Sequence, residues 1–293
     1  GRSRRSYIAG DDDQAIYNFQ GASSEIFINL EGTFDAQIKS QRVPRKVFEY
    51  AKKILPNITE RLEKQWKPKD EEGEVFENVY LQDIDFSTGN WMIIARTNKM
   101  LQPIAEEIYN QGYRFEAKHN EILPPEPLNA YRIWQRLNQG AYIDKYDAKD
   151  LYSCLSYKLG HVEYGFSSGK SLDNIDSVDI DTLRMEHGLR VTGSWEQFNI
   201  SQHIKDYMNV LLNSGDDLMS KPRIKISTIH RVKGEEADNV VLFLDLNRVI
   251  YKASQFNADP EHRTFFVGVT RAKHNLFLMQ PTSEYQYNIG GPI

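Results

Sequence analysis

Short apolar runs separated by helix-like segments constrain this chain more than any other feature. WMIIA (91–95), NVVLFL (239–244) and NLFLM (275–279) have the length of strands and carry almost no polar residues. A strand that is apolar on both faces is covered on both faces, the usual condition of a parallel sheet. Parallel neighbours cannot be joined by a tight hairpin and need crossover segments, most often helices. Helical candidates do lie around the runs. RKVFEYAKKIL from Arg45 has Val47, Tyr50, Ala51 and Leu55 at helical spacing, with Pro44 where a first turn tolerates it. LQPIAEEIYNQG is stopped by Gly112, and EHRTFFVGVTRA (261–272) is predicted to be a helix with its apolar residues on one side. RIKISTIH (223–230) and YRFEA (113–117) predict further strands, SYIAG (6–10) the end of a buried strand, and EIFINLE (25–31) a short helix or strand. KPKDEEGE (67–74) reads as a charged loop.

The stretch from about 121 to 218 differs. EILPPEPL punctuates a boundary with prolines. NAYRIWQRLNQ, YDAKDLYSCLSYKLG and SQHIKDYMNVLLN predict helices around a polar Gly/Ser/Asp segment, with few strand signals. The expected architecture is therefore an α/β parallel-sheet domain, written in two sequence halves, around a small mainly helical insertion.

Composition excludes several classes. No apolar run approaches the roughly 18 residues that span a bilayer. The basic start GRSRRSYIAG is not followed by a signal-peptide apolar core. Cys154 stands alone, so no internal disulfide framework or cysteine-rich zinc site exists. A reducing, cytoplasmic setting is the expectation. A net charge of −5 argues against a wholly basic nucleic-acid surface but leaves room for a local basic track.

Three stretches and a few single arginines could carry chemistry. SSGKS (167–171) ends like a phosphate loop, but the leading glycine position is Tyr164, no apolar strand precedes it, and a polar surface loop is the expected structure. No other Gly-Lys pair occurs in the chain. AGDDDQAIYNFQGA (9–22) sets three carboxylates before Gln14, Tyr17 and Phe19. Such acids can hold a divalent cation or form a turn. The two aromatics can stack on bases or pack in a core. In STIHRVKGEEADNVVLF (227–243), Thr228, His230, Lys233, Gly234 and Glu236 lie between two strands, where α/β proteins place ligand contacts. Arg231, Arg263 and Arg271 are, taken singly, ordinary surface candidates, and no spacing rule says which could stabilise a phosphoryl group.

Taken together and in order, these segments resemble the UvrD/Rep/PcrA-like superfamily 1 DNA helicases. GDDDQAIYNFQGA resembles motif III, IKSQRVPRKV motif IV, IIARTN motif IVa, STIHRVKGEEADNVV motif V and EHRTFFVGVTRAKHNLFL motif VI. The resemblance covers about 1–120 and 220–293. It implies that 1–22 is the end of helicase domain 1A, that 23–120 and 219–293 form the RecA-like domain 2A, and that 121–218 is a reduced 2B-like insertion. It implies that Gln14 senses the γ-phosphate, that Arg42 and Arg271 reach it, that Gly234 and Glu236 contact ATP, with Glu236 on the ribose, and that Tyr17 and Phe19 stack on single-stranded DNA. Arg96, Asn98, Thr228 and His230 would touch the DNA backbone. ATP and Mg2+ are implied as cofactors, with the phosphate loop and magnesium ligands upstream in the remainder of domain 1A and no metal site in this chain. The implied whole is an ATP-dependent helicase or translocase of which this chain alone is inactive. The sequence departs from the pattern at Gln41, where an adenine-stacking tyrosine is usual, at Gln20, where an arginine is usual, and at Glu235, where a leucine is usual. The alternative is a non-enzymatic module that keeps the 2A fold to bind nucleic acid or protein.

Overall fold

The computed structural model describes residues 7–17, 21, 24–117 and 123–293. The chain divides into two compact units, one of Gly1–Gln111, Phe115–Asn120 and Arg223–Ile293, the other of Gly112–Arg114 and Glu121–Pro222. Among the described residues no helix is long and apolar enough to cross a membrane.

The first unit is built on a parallel sheet of six strands: β1 (Glu74–Val79), β2 (Trp91–Ala95), β3 (Phe115–Ala117), β6 (Ile224–Thr228), β7 (Ala237–Leu242) and β8 (Ala272–Met279), in the order β1-β8-β7-β2-β6-β3. All neighbours are parallel. This is the α/β, RecA-like architecture expected from the sequence. All five residues of β2 are buried, as its continuous apolar sequence requires. Around the sheet lie α1 (Ser24–Ile28), α2 (Arg45–Ile54), α3 (Asn98–Asn110), α8 (Arg248–Ser254) and α9 (Asp259–Val269). One sequence expectation fails at the start: Tyr7–Gly10 is irregular and exposed, not a buried strand. A strand exists only where a neighbour pairs with it, and no described strand does so here. The edge strand β1 and helix α8 have no counterpart in the sequence reading. β1 is exposed at most positions, so it lacks the apolar signature of a central strand.

Helix α9 also departs from expectation. Every residue from Glu261 to Val269 is buried, so the helix is enclosed on all sides. Its polar side chains are accordingly bonded. Asp259 accepts from the backbone N–H and hydroxyl of Thr59 at 2.9 Å each. The Thr264 hydroxyl donates to the Pro260 carbonyl at 2.8 Å. His262 Nδ1 lies 2.9 Å from the Tyr287 hydroxyl. Phe265 stacks on Tyr287 with ring centroids 4.0 Å apart. At Gly268 a Cβ would come within 3.1 Å of Leu242, so glycine allows the helix to lie close against β7.

The second unit is mainly helical: α4 (Pro125–Asn138), α5 (Lys145–Ser153), α6 (Ile180–Glu186) and α7 (Gln202–Asn213), with a two-stranded antiparallel ladder of β4 (Ile143–Asp144) and β5 (Ser177–Val178). The prolines of EILPPEPL stand near the division between the two units and also start α4, where a missing N–H costs nothing. Edge-to-face pairs Trp134–Phe198 and Tyr131–Trp195 form its aromatic centre. Helix α6 lies in the stretch that sequence alone reads as polar connection; the Asp179 side chain caps it by accepting from Thr182 N–H.

Truncating Phe265 to alanine removes a fully buried ring from the contact between α9 and Tyr287 and is expected to cost about 4 kcal/mol. Phe256→Ala, at a ring that is 93% exposed, is expected to stay within about 0.5 kcal/mol of wild type. Urea denaturation of both variants checks the contrast.

Candidate nucleotide and nucleic-acid site

The acidic turn is organised around a lysine. Asp11 caps a single 3-10 turn, Asp12–Gln14, by accepting from Asp13 N–H. The Lys64 ammonium lies 2.9 Å from Asp11, 2.9 Å from Asp13 and in contact with Asp12. Arg61 adds a two-pronged bond to Asp13, Nε to Oδ1 at 2.8 Å and Nη2 to Oδ2 at 2.9 Å. Asp12 also accepts from Leu62 N–H at 2.7 Å, and its carbonyl accepts from Arg263 Nε at 3.1 Å. Burial by itself would raise the Asp13 pKa, but the hydrogen bonds from Arg61 and Lys64 outweigh it and hold the carboxyl below its ordinary range. The three carboxylates can be brought together as metal ligands are. Here their oxygens face two cations of the chain itself, so the cluster fits a structural knot better than a magnesium cage.

Beside the knot two guanidinium groups stand with little neutralising charge. Arg271 is 1% exposed. It donates to the carbonyls of Val267 (2.9 Å) and Glu235 (3.1 Å), to Gln14 Oε1 (3.1 Å) and to the Thr270 hydroxyl (3.2 Å). Among the described residues it has no salt bridge with a carboxylate. Burial, with a contribution from Arg42, pulls its pKa down to about 9. Arg42 lies 3.7 Å from Glu236, and its buried Nε has no hydrogen-bond partner among the described residues. Burial lowers its pKa as well, against the pull of Glu236. Gly234 is exposed in a left-handed turn, φ +91°, where glycine is needed. A cavity of about 550 Å³ opens beside Arg42 and Gln14, with Phe27, Phe34 and Trp66 in its walls. Its volume is in the range of small-ligand sites. Gln41 offers no ring, but these aromatics do.

A second cluster lies at the other end of the sheet. Ala95 and Thr228 end β2 and β6 side by side, so Arg96 and His230 leave the sheet together. Arg96 is already engaged: its Nε and Nη2 fork onto Glu261 at 2.6 and 2.8 Å. Asn98 is exposed and opens α3. Thr228 is buried. The Tyr17 hydroxyl donates to the His230 carbonyl at 2.7 Å, its ring meets the His230 ring edge-on, and Lys233 Nζ lies 5.2 Å from its centroid. Phe19 and Gln20 lie outside the described residues. Burial brings the His230 pKa down to about 4, Arg96 adding to the effect and Glu261 opposing it.

The two clusters are joined. Register places Ala237 two residues before the level of Trp91 and Thr228 at the level of Ala95, roughly 20 Å apart along the strands at about 3.3 Å per residue. Ile229–Glu236 therefore runs back from the C-terminal edge of the sheet to its N-terminal edge. Gln14–Tyr17 runs beside it, bonded to Arg271 at one end and to His230 at the other. The sequence reading missed Arg61, Lys64 and Glu261 as partners, since none falls in a periodic or spaced pattern with the residue it holds. It also read Arg263 and Arg271 as surface candidates, whereas both are buried. Arginines buried in or directly after an enclosed helix must find carbonyl or carboxylate acceptors, and these do.

Two pH windows follow. His230 has a folded pKa below the ordinary 6.5, so the unfolded chain takes the proton first. Its stability contribution is complete above pH 6.5 and declines as pH falls towards 4; imidazole resonances unmoved between pH 8 and 5.5 in an NMR titration are the expected outcome. Asp13 also has a depressed pKa, against an ordinary 3.8. Its contribution is present above that value and lost as pH falls through the lower folded one. Asp13→Asn is expected to flatten this acid limb in denaturation midpoints measured from pH 5 to 2.

Residues 191–282 match the family model of the UvrD-like helicase C-terminal domain. The match takes in β6, β7, α8, α9 and β8, and so Thr228, His230, Gly234, Glu236 and Arg271. A probable DNA helicase of Mycoplasma pneumoniae is 26% identical over 139 residues, 46% of this chain and 26% of that protein. The chain thus covers about a quarter of the length of the relative it matches. Residues 191–282 are thus similar to the C-terminal domain of UvrD-like helicases, and within the described structure they contribute three strands of the parallel sheet.

Proposed function

We propose that the chain supplies one wall of the nucleotide cleft and part of the single-strand track of an ATP-dependent DNA helicase or translocase. The observation that carries this reading is the pair of under-neutralised arginines, Arg42 and Arg271, with Gln14 bonded to one of them. Holding a buried guanidinium without a carboxylate, as at Arg271, costs free energy, and that cost is offset when a polyanion arrives. The orphaned Arg42 Nε fits the same ligand. Bound ATP would supply the transferring phosphoryl group and its negative charge. Arg42 and Arg271 would stabilise that charge, and Gln14 would orient between it and Arg271. Glu236 and Gly234, at the same edge of the sheet, would contact the rest of the nucleotide. Asp11, Asp12 and Asp13, filled by Lys64 and Arg61, fit no magnesium ion. The phosphate loop and magnesium carboxylates would therefore be contributed from outside these 293 residues, as the remainder of domain 1A, with 1–22 belonging to that domain and the helical unit in the 2B-like place.

Tyr17, with Phe19 beyond it, would meet bases of single-stranded DNA, and Asn98 and His230 its backbone. The engagement of Arg96 by Glu261 favours a second reading, a binding module without catalysis, because it withdraws one cation from the strand. In the assembled protein with its phosphate loop, Arg271→Ala is expected to lower DNA-stimulated ATP hydrolysis by about 10³-fold or more, with Arg42→Ala acting in the same direction. The 293-residue chain alone is expected to hydrolyse no ATP. Unchanged turnover in the arginine variants, or an assembled protein without ATPase activity, would favour the module.

A further inference from the structure

The SSGKS stretch has no place in the site above, yet it lines a cavity of about 370 Å³ in the helical unit. The segment is not a phosphate loop: residues 164–168 form turns, Gly169 is left-handed at φ +66°, and Lys170–Leu172 is a single 3-10 turn. The chemistry of the cavity is nonetheless that of an anion site. Lys149, from α5, and Lys170 face it together with the hydroxyl-bearing Ser153, Ser167 and Ser168. Its acid is Asp173, which pairs with Lys149. The hydrogen bond and charge of Lys149 hold the Asp173 carboxyl below its ordinary range, and the charges of Lys145 and Lys170 add to the effect. Three lysines thus surround one carboxylate. Among the described residues Lys170 forms no salt bridge, so the cluster keeps a surplus of positive charge beside the hydroxyls of Ser167 and Ser168.

We propose that this cavity binds a phosphoryl group, with Lys149 and Lys170 as its cationic contacts and the hydroxyls of Ser167 and Ser168 as donors to the remaining oxygens, the Ser153 hydroxyl being spent on the Asp150 carbonyl at 2.6 Å. Ammonium groups act as point charges towards phosphate, and hydroxyls complete the hydrogen bonding. Free phosphate and the backbone phosphate of a nucleic acid share this chemistry. Asp173 competes with the anion for Lys149. The site is independent of the arginine pair and stands or falls apart from the helicase reading.

The test is calorimetric titration of the 293-residue chain with inorganic phosphate at constant ionic strength. Saturable binding is expected, weakened about tenfold in Lys149→Gln/Lys170→Gln, the loss of one or more charge-assisted hydrogen bonds. Asp173→Asn removes the competing carboxylate and is expected to tighten binding; a general loss of structure could not produce that opposite sign. Competition by a short oligothymidylate identifies a nucleic-acid phosphate as the source, and absence of competition identifies the free anion. Phosphate heats that do not saturate, or that are the same in wild type and the double lysine variant, overturn the proposal.

Discussion

The first unit depends on one helix being enclosed on all sides. Burying α9 completely takes a glutamate, a histidine, an arginine and a threonine out of water with it. Each must recover its lost hydration from the chain, or the burial would cost several kcal/mol per charged group. The partners found are distant in sequence: Asp12 and Glu60 carbonyls for Arg263, Arg96 for Glu261, Tyr287 for His262. Satisfying α9 therefore fixes the acidic turn, the loop after α2, the end of β2 and the C-terminal segment in one arrangement. The candidate site is a consequence of that requirement, because Arg271 follows α9 directly and Gln14 follows the carbonyl that Arg263 holds.

This explains which parts of the molecule could be read in advance. The sheet is legible because a strand buried on both faces carries its environment in its own residues, as WMIIA does. Helices α2 and α3 were legible from periodicity. α9 was recognised as a helix but not as a buried one, since FFVGV between EHRT and TRA looks one-sided when its charged residues are assumed to need water. β1 was missed because exposure leaves an edge strand free to carry Glu and Asn. SYIAG departs from its expected strand because apolar residues permit a strand but only a neighbour makes one.

The site shows the same division. Gln14, Arg42 and Arg271 could be named from the order of motifs, and Arg271 and Gln14 are in direct contact. What could not be named were the residues that hold them. Lys64 and Arg61 lie in TERLEKQWKPK, a segment without periodic or spaced signal, and their role exists only because the fold returns them to the aspartates. A row of three carboxylates is ambiguous until the cation between them is known, and here the cation is covalently part of the chain.

The placement of the arginines also bears on how the unit could work. In open α/β sheets ligands usually sit beyond the C-terminal ends of strands. Thr228, Arg96 and His230 lie at that end, but Arg42, Glu236 and Arg271 lie at the opposite edge. A site at the N-terminal edge gains little from the strands themselves, and its cations are left partly uncompensated, which suits a surface that completes a phosphate site rather than one that forms it alone. The crossing segments 14–17 and 229–236 then offer a short mechanical route. Arg271 pulls on Gln14 at one end, and Tyr17 is bonded to the His230 carbonyl at the other. A change in the hydrogen bonding of Arg271 has three residues of backbone in which to dissipate before it reaches the aromatic ring. So short a segment, held at both ends by hydrogen bonds, connects the two edges of the sheet without passing through the sheet itself.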